Sequence, residues 1–126
     1  MGYLNPHTHD LDGQVRIVTL CGSTRFKAEF EAVNRRETLA GRIVLAPGVF
    51  GHADGIELSA AEKAALDELH LRKIDLADRV IVVAPGGYIG DSTRREIAYA
   101  EAAGKPVVMA DGSGVRQAPV REVPGD

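Results

Sequence analysis

The sequence contains a single cysteine, Cys21, and no tryptophan. One cysteine excludes an internal disulfide framework and is typical of chains that fold in a reducing compartment. No apolar run approaches the ~18 residues of a membrane-spanning helix. The first ten residues, MGYLNPHTHD, lack the basic and apolar regions of a secretory signal peptide. The expected protein is cytoplasmic and has no membrane partner.

An excess of basic charge is also missing. The 126 residues include 15 Lys and Arg against 18 Asp and Glu, which gives a formal net charge of −3. The two signs are interspersed, so the chain lacks the basic stripe that binds a phosphate backbone. Nucleic acid is therefore not an expected partner.

Apolar residues, in contrast, are plentiful. They make up 44% of a chain whose length fits one domain. Continuous apolar runs, typical of parallel strands covered on both faces, occupy residues 15–21, 42–47, 79–85 and 106–110. Helical patterns fill the intervals at residues 24–40, 59–77 and 92–103. The alternation predicts a compact flavodoxin- or Rossmann-like α/β fold, a three-layer sandwich with a parallel sheet of four or five strands.

This domain is expected to span residues 13–112, with weakly ordered flanking segments at 1–12 and 113–126. In such sheets, ligands bind beyond the carboxyl ends of the strands. Three loops at these ends are rich in glycine or hydroxyl residues: CGSTR, PGVFGH and PGGYIGDST. Residues 48–58 are long and glycine-rich for a connection, and we interpret them as a lid over a site.

The CGSTR segment joins a strand to a helix start, where backbone N–H groups attract anions. Ser23 and Thr24 add hydroxyl donors, and Arg25 adds a guanidinium suited to phosphate. Gly22, Ser23 and Arg25 are therefore candidate substrate-binding residues. The alternative is an ordinary helix start with a solvated arginine.

Glu96 has two interpretations. The segment from Thr93 to Glu96 matches the S/T-x-x-E capping box, in which the glutamate only accepts a backbone hydrogen bond. The other interpretation is that Glu96, in the first helical turn, is kept in its charged form by the helix potential. This carboxylate could then attack a sugar C1′ or stabilise oxocarbenium charge.

Further candidates lie nearby in the sequence. His70 shares an apolar helix face with Leu66 and Ile74, so it is either a packed core histidine or a site residue. In the third loop, Gly87, Tyr88 and Asp91 either contact a base or ribose or simply complete a turn. The other histidines, His7, His9 and His52, form no credible metal set, and no metal or cofactor is expected.

Three segments carry a family resemblance: VTLCGSTR, DLADRVIVVAP and DSTRREIAYAEAAGKPV. Together they resemble the nucleoside 2-deoxyribosyltransferase-like family, which includes 2′-deoxynucleoside 5′-phosphate N-hydrolases. The resemblance covers residues 15–110. It implies that Glu96 is the nucleophile, preceded by Ser92 and Thr93 at substrate-binding positions.

The opening CGSTR is similar to the Cys-Gly-Ser-x-Arg segment of the nucleotide N-hydrolases. The resemblance implies that Ser23 and Arg25 hold a 5′-phosphate, that the substrate is a nucleoside monophosphate or nucleoside, and that the protein is a homodimer or higher oligomer.

The chain departs from the family at several positions. His70 stands where the family usually has an aspartate that assists the base or ribose, and Gly90 and Ala98 replace other typical residues. The resemblance therefore leaves two functions open. One is an N-glycosidic enzyme in which His70 or Asp91 assists Glu96, and the other is a sensor that binds a nucleotide without cleaving it.

Overall fold

The computed structural model of the chain describes residues 14–112. The predicted flanking segments, 1–12 and 113–126, lie outside the described residues. The strands are β1 (Ile17–Gly22), β2 (Ile43–Leu45), β3 (Arg79–Val83) and β4 (Val107–Met109). The helices are α1 (Lys27–Leu39), α2 (Gly51–Asp54), α3 (Ala60–Leu76) and α4 (Asp91–Ala102), and a 3-10 turn spans Pro85–Gly87.

The strands form one parallel sheet in the order β2-β1-β3-β4. The predicted α/β class is therefore confirmed, with four strands in the sheet. From β1 the chain moves outward to β2, and it then crosses to β3 on the other side of β1. A reversal of this kind opens a crevice at the carboxyl ends of the two central strands.

Helices cover both faces of the sheet. Alternate β1 residues, Val18 and Leu20, join Phe30 of α1 in one buried cluster. On the opposite face, Val80 and Val82 of β3 pack in a second cluster. That second cluster also contains these residues of β1, α3 and α4: Cys21, Ile74, Ile97 and Ala100. The two clusters give the predicted three layers, and they explain why the strand segments are apolar throughout.

Two helix starts contain the S/T-x-x-E capping motif, Ser59 to Glu62 and Thr93 to Glu96. At α3 the capping box forms, because the Ser59 hydroxyl accepts from the Glu62 backbone N–H while the Glu62 carboxylate accepts from the Ser59 N–H. At α4 the capping box does not form. Gly90, with extended backbone angles, is the N-cap, so Thr93 already lies inside the helix and Glu96 is its sixth residue.

Two features fix the central strands against each other. The Asp78 carboxylate, just before β3, accepts hydrogen bonds from the backbone N–H groups of Arg16 and Ile17, both at 2.9 Å. At the other end of β1, a Cβ on Gly22 would lie 2.4 Å from the carbonyl oxygen of Val83. Only glycine allows this close approach of the two strand ends.

Among residues 14–112, no helix combines the length and the apolar character needed to cross a lipid bilayer.

Candidate active site

A cavity of about 360 Å³ lies at the carboxyl edge of the sheet. Its walls come from the loop after β1, the loop after β2, and the inner faces of α3 and α4. The lining residues are Gly22, Ser23, Thr24, Pro47, Gly48, Val49, Gly51, His52, Ile56, Glu57, Leu58, Lys63, Leu66, Asp67, Leu69, His70, Lys73, Ser92 and Glu96. This position follows from the crossover between β1 and β3, as the order of the strands predicts.

The segment 48–58, predicted to be a lid, forms one side of the cavity and contains α2. Its Asp54 pairs with Lys27 of α1 at 3.0 Å. Its Phe50 ring contacts the Phe30 ring edge to face, with centroids 5.4 Å apart. The segment is therefore anchored on α1, with its inner residues turned to the cavity.

Glu96 lies on the cavity wall with 15% of its side chain exposed. Because it is in the second turn of α4, it is not a cap, and the capping interpretation does not account for it. The predicted stabilisation by first-turn helix potential is also weaker there, since this effect is confined to the terminal turn.

Glu96 belongs to a compact group with Cys21 and His70. The ligand atoms of the three side chains all lie within 4.8 Å of one another. The Cys21 Sγ lies 3.4 Å from His70 Nε2, which in turn lies 3.9 Å from Glu96 Oε1. The group assembles because β1, α3 and α4 each contribute one residue to the same side of the sheet.

Burial and mutual contact set the protonation states of this group. Burial raises the pKa of the Cys21 thiol, and so do the charge of Glu96 and a hydrogen bond to its carboxylate. Burial, followed by the nearby Lys73, lowers the pKa of His70 to about 4, against a smaller opposing effect of its hydrogen bond to the backbone of Leu20. At neutral pH Cys21 is therefore a thiol and His70 a neutral imidazole, so the His70–Glu96 contact is not an ion pair.

This protonation state alters the role expected for His70. A histidine with an ordinary, near-neutral pKa could protonate a departing base. With a pKa of about 4, His70 holds no spare proton at pH 7. It can accept a proton or position its neighbours.

Of the two predicted phosphate ligands, Ser23 lines the cavity and Arg25 does not, and the predicted substrate-binding residue Gly22 also lines it. Arg25 nevertheless contacts Ser23, because its Nε and backbone N–H donate to the Ser23 hydroxyl at 3.1 and 3.3 Å. The Arg25 guanidinium also stacks 4.6 Å above the ring of Tyr88. Ser23 therefore lies between the cavity and the positively charged guanidinium of Arg25.

The third loop contributes less than predicted. Ser92 lines the cavity, and its hydroxyl accepts from Arg95 at 3.2 Å. Tyr88 packs outside the cavity, under Arg25, and Gly87 is exposed at the end of the 3-10 turn. Positive φ angles at Gly86 and Gly87 turn the chain within this loop.

The structure also does not bring Thr93 or Asp91 to the cavity. Thr93 is 1% exposed, and its hydroxyl has no hydrogen-bond partner among the described residues. Asp91 is exposed and is bonded by the guanidinium of Arg94.

Sequence reasoning missed Cys21 and Asp67 as site residues. Asp67 lines the cavity three residues before His70, on the same helix face, and its charge acts on the His70 pKa. That spacing was a usable signal. Cys21 gave no such signal, because its neighbours come from helices 49 and 75 residues away along the chain.

A scan of the chain against protein-family models and a search of curated proteins found no match. The resemblance described above therefore stays a hypothesis that rests on its motifs.

Proposed function

We propose that this protein cleaves the N-glycosidic bond of a nucleoside 5′-monophosphate, or of a nucleoside, with Glu96 as the nucleophile at C1′. The observation that carries the proposal is the placement of the Glu96 carboxylate on the wall of a cavity of about 360 Å³ at the switch point of the sheet. Ligand pockets begin at roughly 300 Å³, so this cavity suits one mononucleotide.

The phosphate would bind at the loop after β1. Ser23 and Thr24 face the cavity there, and the Arg25 guanidinium adjoins Ser23. Backbone N–H groups near a helix start and a guanidinium are both suited to a phosphate dianion. This end of the cavity supports a monophosphate over a free nucleoside.

The sugar would lie over Glu96. In the first step a carboxylate oxygen attacks C1′, the C1′–N bond breaks, and its electron pair leaves with the base. In the second step water attacks C1′ of the glycosyl-enzyme and the bond to Glu96 breaks. The products are the free base and the sugar phosphate with retained configuration. If a second base attacks instead, the reaction is a transfer.

The side chains that could assist proton transfer during the reaction lie on the α3 side of the cavity. Asp67 and His70 both face the cavity from α3. The neutral His70 can take a proton from the attacking water but has none to give at pH 7. The departing base takes its proton from water in the cavity, and Asp67, which faces the cavity on the same helix as His70, can position that water. Asp91 is given no role, because it lies away from the cavity.

The proposal includes a homodimer in the cytoplasm. The outer face of α3 supports association, because Leu69 and Leu76 are 51% and 63% exposed and Leu69 also lines the cavity. A second copy on this face would cover them. Sedimentation velocity is expected to give twice the chain mass of 13.4 kDa.

The experiment is a panel of ribo- and deoxyribonucleoside monophosphates incubated with chelator-treated protein, with free base followed by chromatography. We expect base release from at least one monophosphate. Binding without release, seen as a rise in melting temperature alone, would favour the nucleotide sensor. If the protein shows neither base release nor a rise in melting temperature, a nucleotide is not its ligand.

A further inference from the structure

The group of Cys21, His70 and Glu96 offers one thiolate, one imidazole and one carboxylate to the same point. These are the three ligand types that zinc accepts. All three ligand atoms lie within 4.8 Å of one another, and the first two residues are buried while Glu96 is half-buried. Three protein ligands are also the number found in zinc sites that keep an open position.

The spacing of the atoms is close to that of a tetrahedral ion. Bonds of about 2.3 Å to sulfur and about 2.1 Å to nitrogen and oxygen place sulfur and nitrogen about 3.6 Å apart, and nitrogen and oxygen about 3.4 Å apart. The observed separations are 3.4 Å for Cys21 Sγ to His70 Nε2 and 3.9 Å for His70 Nε2 to Glu96 Oε1. The third separation, from Cys21 Sγ to the Glu96 carboxylate, is within 4.8 Å, so a movement of the Glu96 side chain toward the other two ligands would complete the arrangement.

The surroundings also fit a metal site with an open position. His70 and Glu96 line the cavity, so a fourth ligand such as water can reach the ion from that side. Cys21 closes the opposite side, with no solvent exposure. The His70 ring is hydrogen-bonded to the backbone of Leu20, an outer contact of the kind that orients a histidine ligand.

We propose that Cys21, His70 and Glu96 bind a borderline divalent ion of the zinc class. The Cys21 thiol loses its proton to solvent as the metal–sulfur bond forms, and the lone pairs of His70 and Glu96 complete the protein ligands. A thiolate among the ligands selects zinc or cobalt over magnesium or calcium. The inference does not rest on the proposed function. A bound ion would hold Glu96 away from C1′, so zinc would inhibit a glycosidic reaction at this site.

The test is a titration of the chelator-treated full chain with Co²⁺, which reports a thiolate ligand by a near-ultraviolet charge-transfer band. We expect the band to saturate at one equivalent and to disappear on addition of Zn²⁺. Glu96→Gln, which preserves the size of the side chain, is expected to weaken cobalt binding at least about 100-fold. Cys21→Ser is expected to remove the band.

The control is the double variant His7→Ala/His9→Ala, which removes the His-x-His segment that precedes the described residues. It is expected to bind cobalt as tightly as the unaltered chain. Absence of the band in the unaltered chain, its persistence in Cys21→Ser, or its loss in the double variant would each overturn the proposal. Because no substrate is present, these results are independent of whether the protein releases a base.

Discussion

Arg25 lies at the edge of the cavity, held by Ser23 and by the ring of Tyr88. If it binds the phosphate, Arg25→Ala should weaken binding of a monophosphate by about 10- to 100-fold, the value of one or two charge-assisted hydrogen bonds. Binding of the matching nucleoside should change little. Calorimetry with the two ligands measures the difference, and Arg35→Ala, an exposed arginine on α1, is the control. An equal loss for both ligands would return Arg25 to a solvated surface role.

Gly22 gives a second prediction at the scale of the residue. Its substitution by alanine would place a Cβ 2.4 Å from the Val83 carbonyl oxygen and 3.1 Å from the Phe30 ring. We expect Gly22→Ala to lower the free energy of unfolding by about 2 kcal/mol or more, because two packed strands must separate. Gly48→Ala, where a Cβ meets nothing within 4 Å, should leave urea unfolding nearly unchanged. Equal stability of the two variants would show that the strand ends adapt freely.

At the scale of the element, the starts of α3 and α4 are chemically different. Ser59 caps α3 through two reciprocal hydrogen bonds, so Ser59→Ala should lower the free energy of unfolding by about 1 kcal/mol. Thr93 in α4 is buried and its hydroxyl has no partner among the described residues. Thr93→Val keeps the shape and removes the unpaired group, so it should be neutral or stabilising. A large loss of stability in Thr93→Val would restore a capping role.

These two helix starts also show how far local pattern predicts structure. Both segments match the same capping motif, yet only the α3 motif forms the box. At α4, an extended Gly90 begins the helix earlier than the motif requires, so the hydroxyl of Thr93 turns inward. The four-residue motif supplies side chains that can form the capping hydrogen bonds. The residue at which the helix begins, however, depends on the backbone angles of the preceding loop.

At the scale of the whole molecule, Asp78 connects the start of β1 to β3. Its hydrogen bonds from the Ile17 and Arg16 N–H groups lower its pKa. The unfolded chain therefore binds this proton at higher pH than the folded one, so the stabilisation is complete above the ordinary aspartate pKa and is lost as the pH falls through the lowered value. We expect Asp78→Ala to cost about 1 kcal/mol at pH 7, after screening at this exposed site, and the difference from the unaltered chain to narrow as the pH falls below the ordinary aspartate pKa.

Asp78→Asn is the matched control for this prediction. It keeps one carbonyl oxygen to accept a hydrogen bond but does not titrate. Its stability should fall between those of the unaltered chain and Asp78→Ala. Urea unfolding measured from neutral pH down to pH 3 tests both variants. A stability difference between the unaltered chain and Asp78→Ala that stays constant over this range would contradict the predicted pH dependence.

The parallel sheet and its helices could be predicted because apolar periodicity is a local property, and the cavity edge followed from the alternation of strands and helices. The contents of the cavity could be predicted only in part. Glu96 and His70 were identified as site residues from the sequence. The contact of Cys21 with them depends on the packing of β1, α3 and α4, so it could not be predicted in this way. Asp91 is paired with Arg94 at the surface and Tyr88 packs against Arg25, and neither residue lines the cavity. Protonation states likewise depend on burial, which is a property of the folded chain.

If the Glu96 carboxylate attacks an anomeric carbon, as we propose, base release depends on that carboxylate. The decisive experiment compares the rate of base release from the preferred monophosphate, in chelated buffer, for the unaltered chain, Glu96→Gln and Glu101→Gln. Glu101 is an exposed residue of the same helix and serves as the matched control. We expect a rate at least about 1,000-fold lower for Glu96→Gln and an unchanged rate for Glu101→Gln. Release by Glu96→Gln at the rate of the unaltered chain would contradict the proposal.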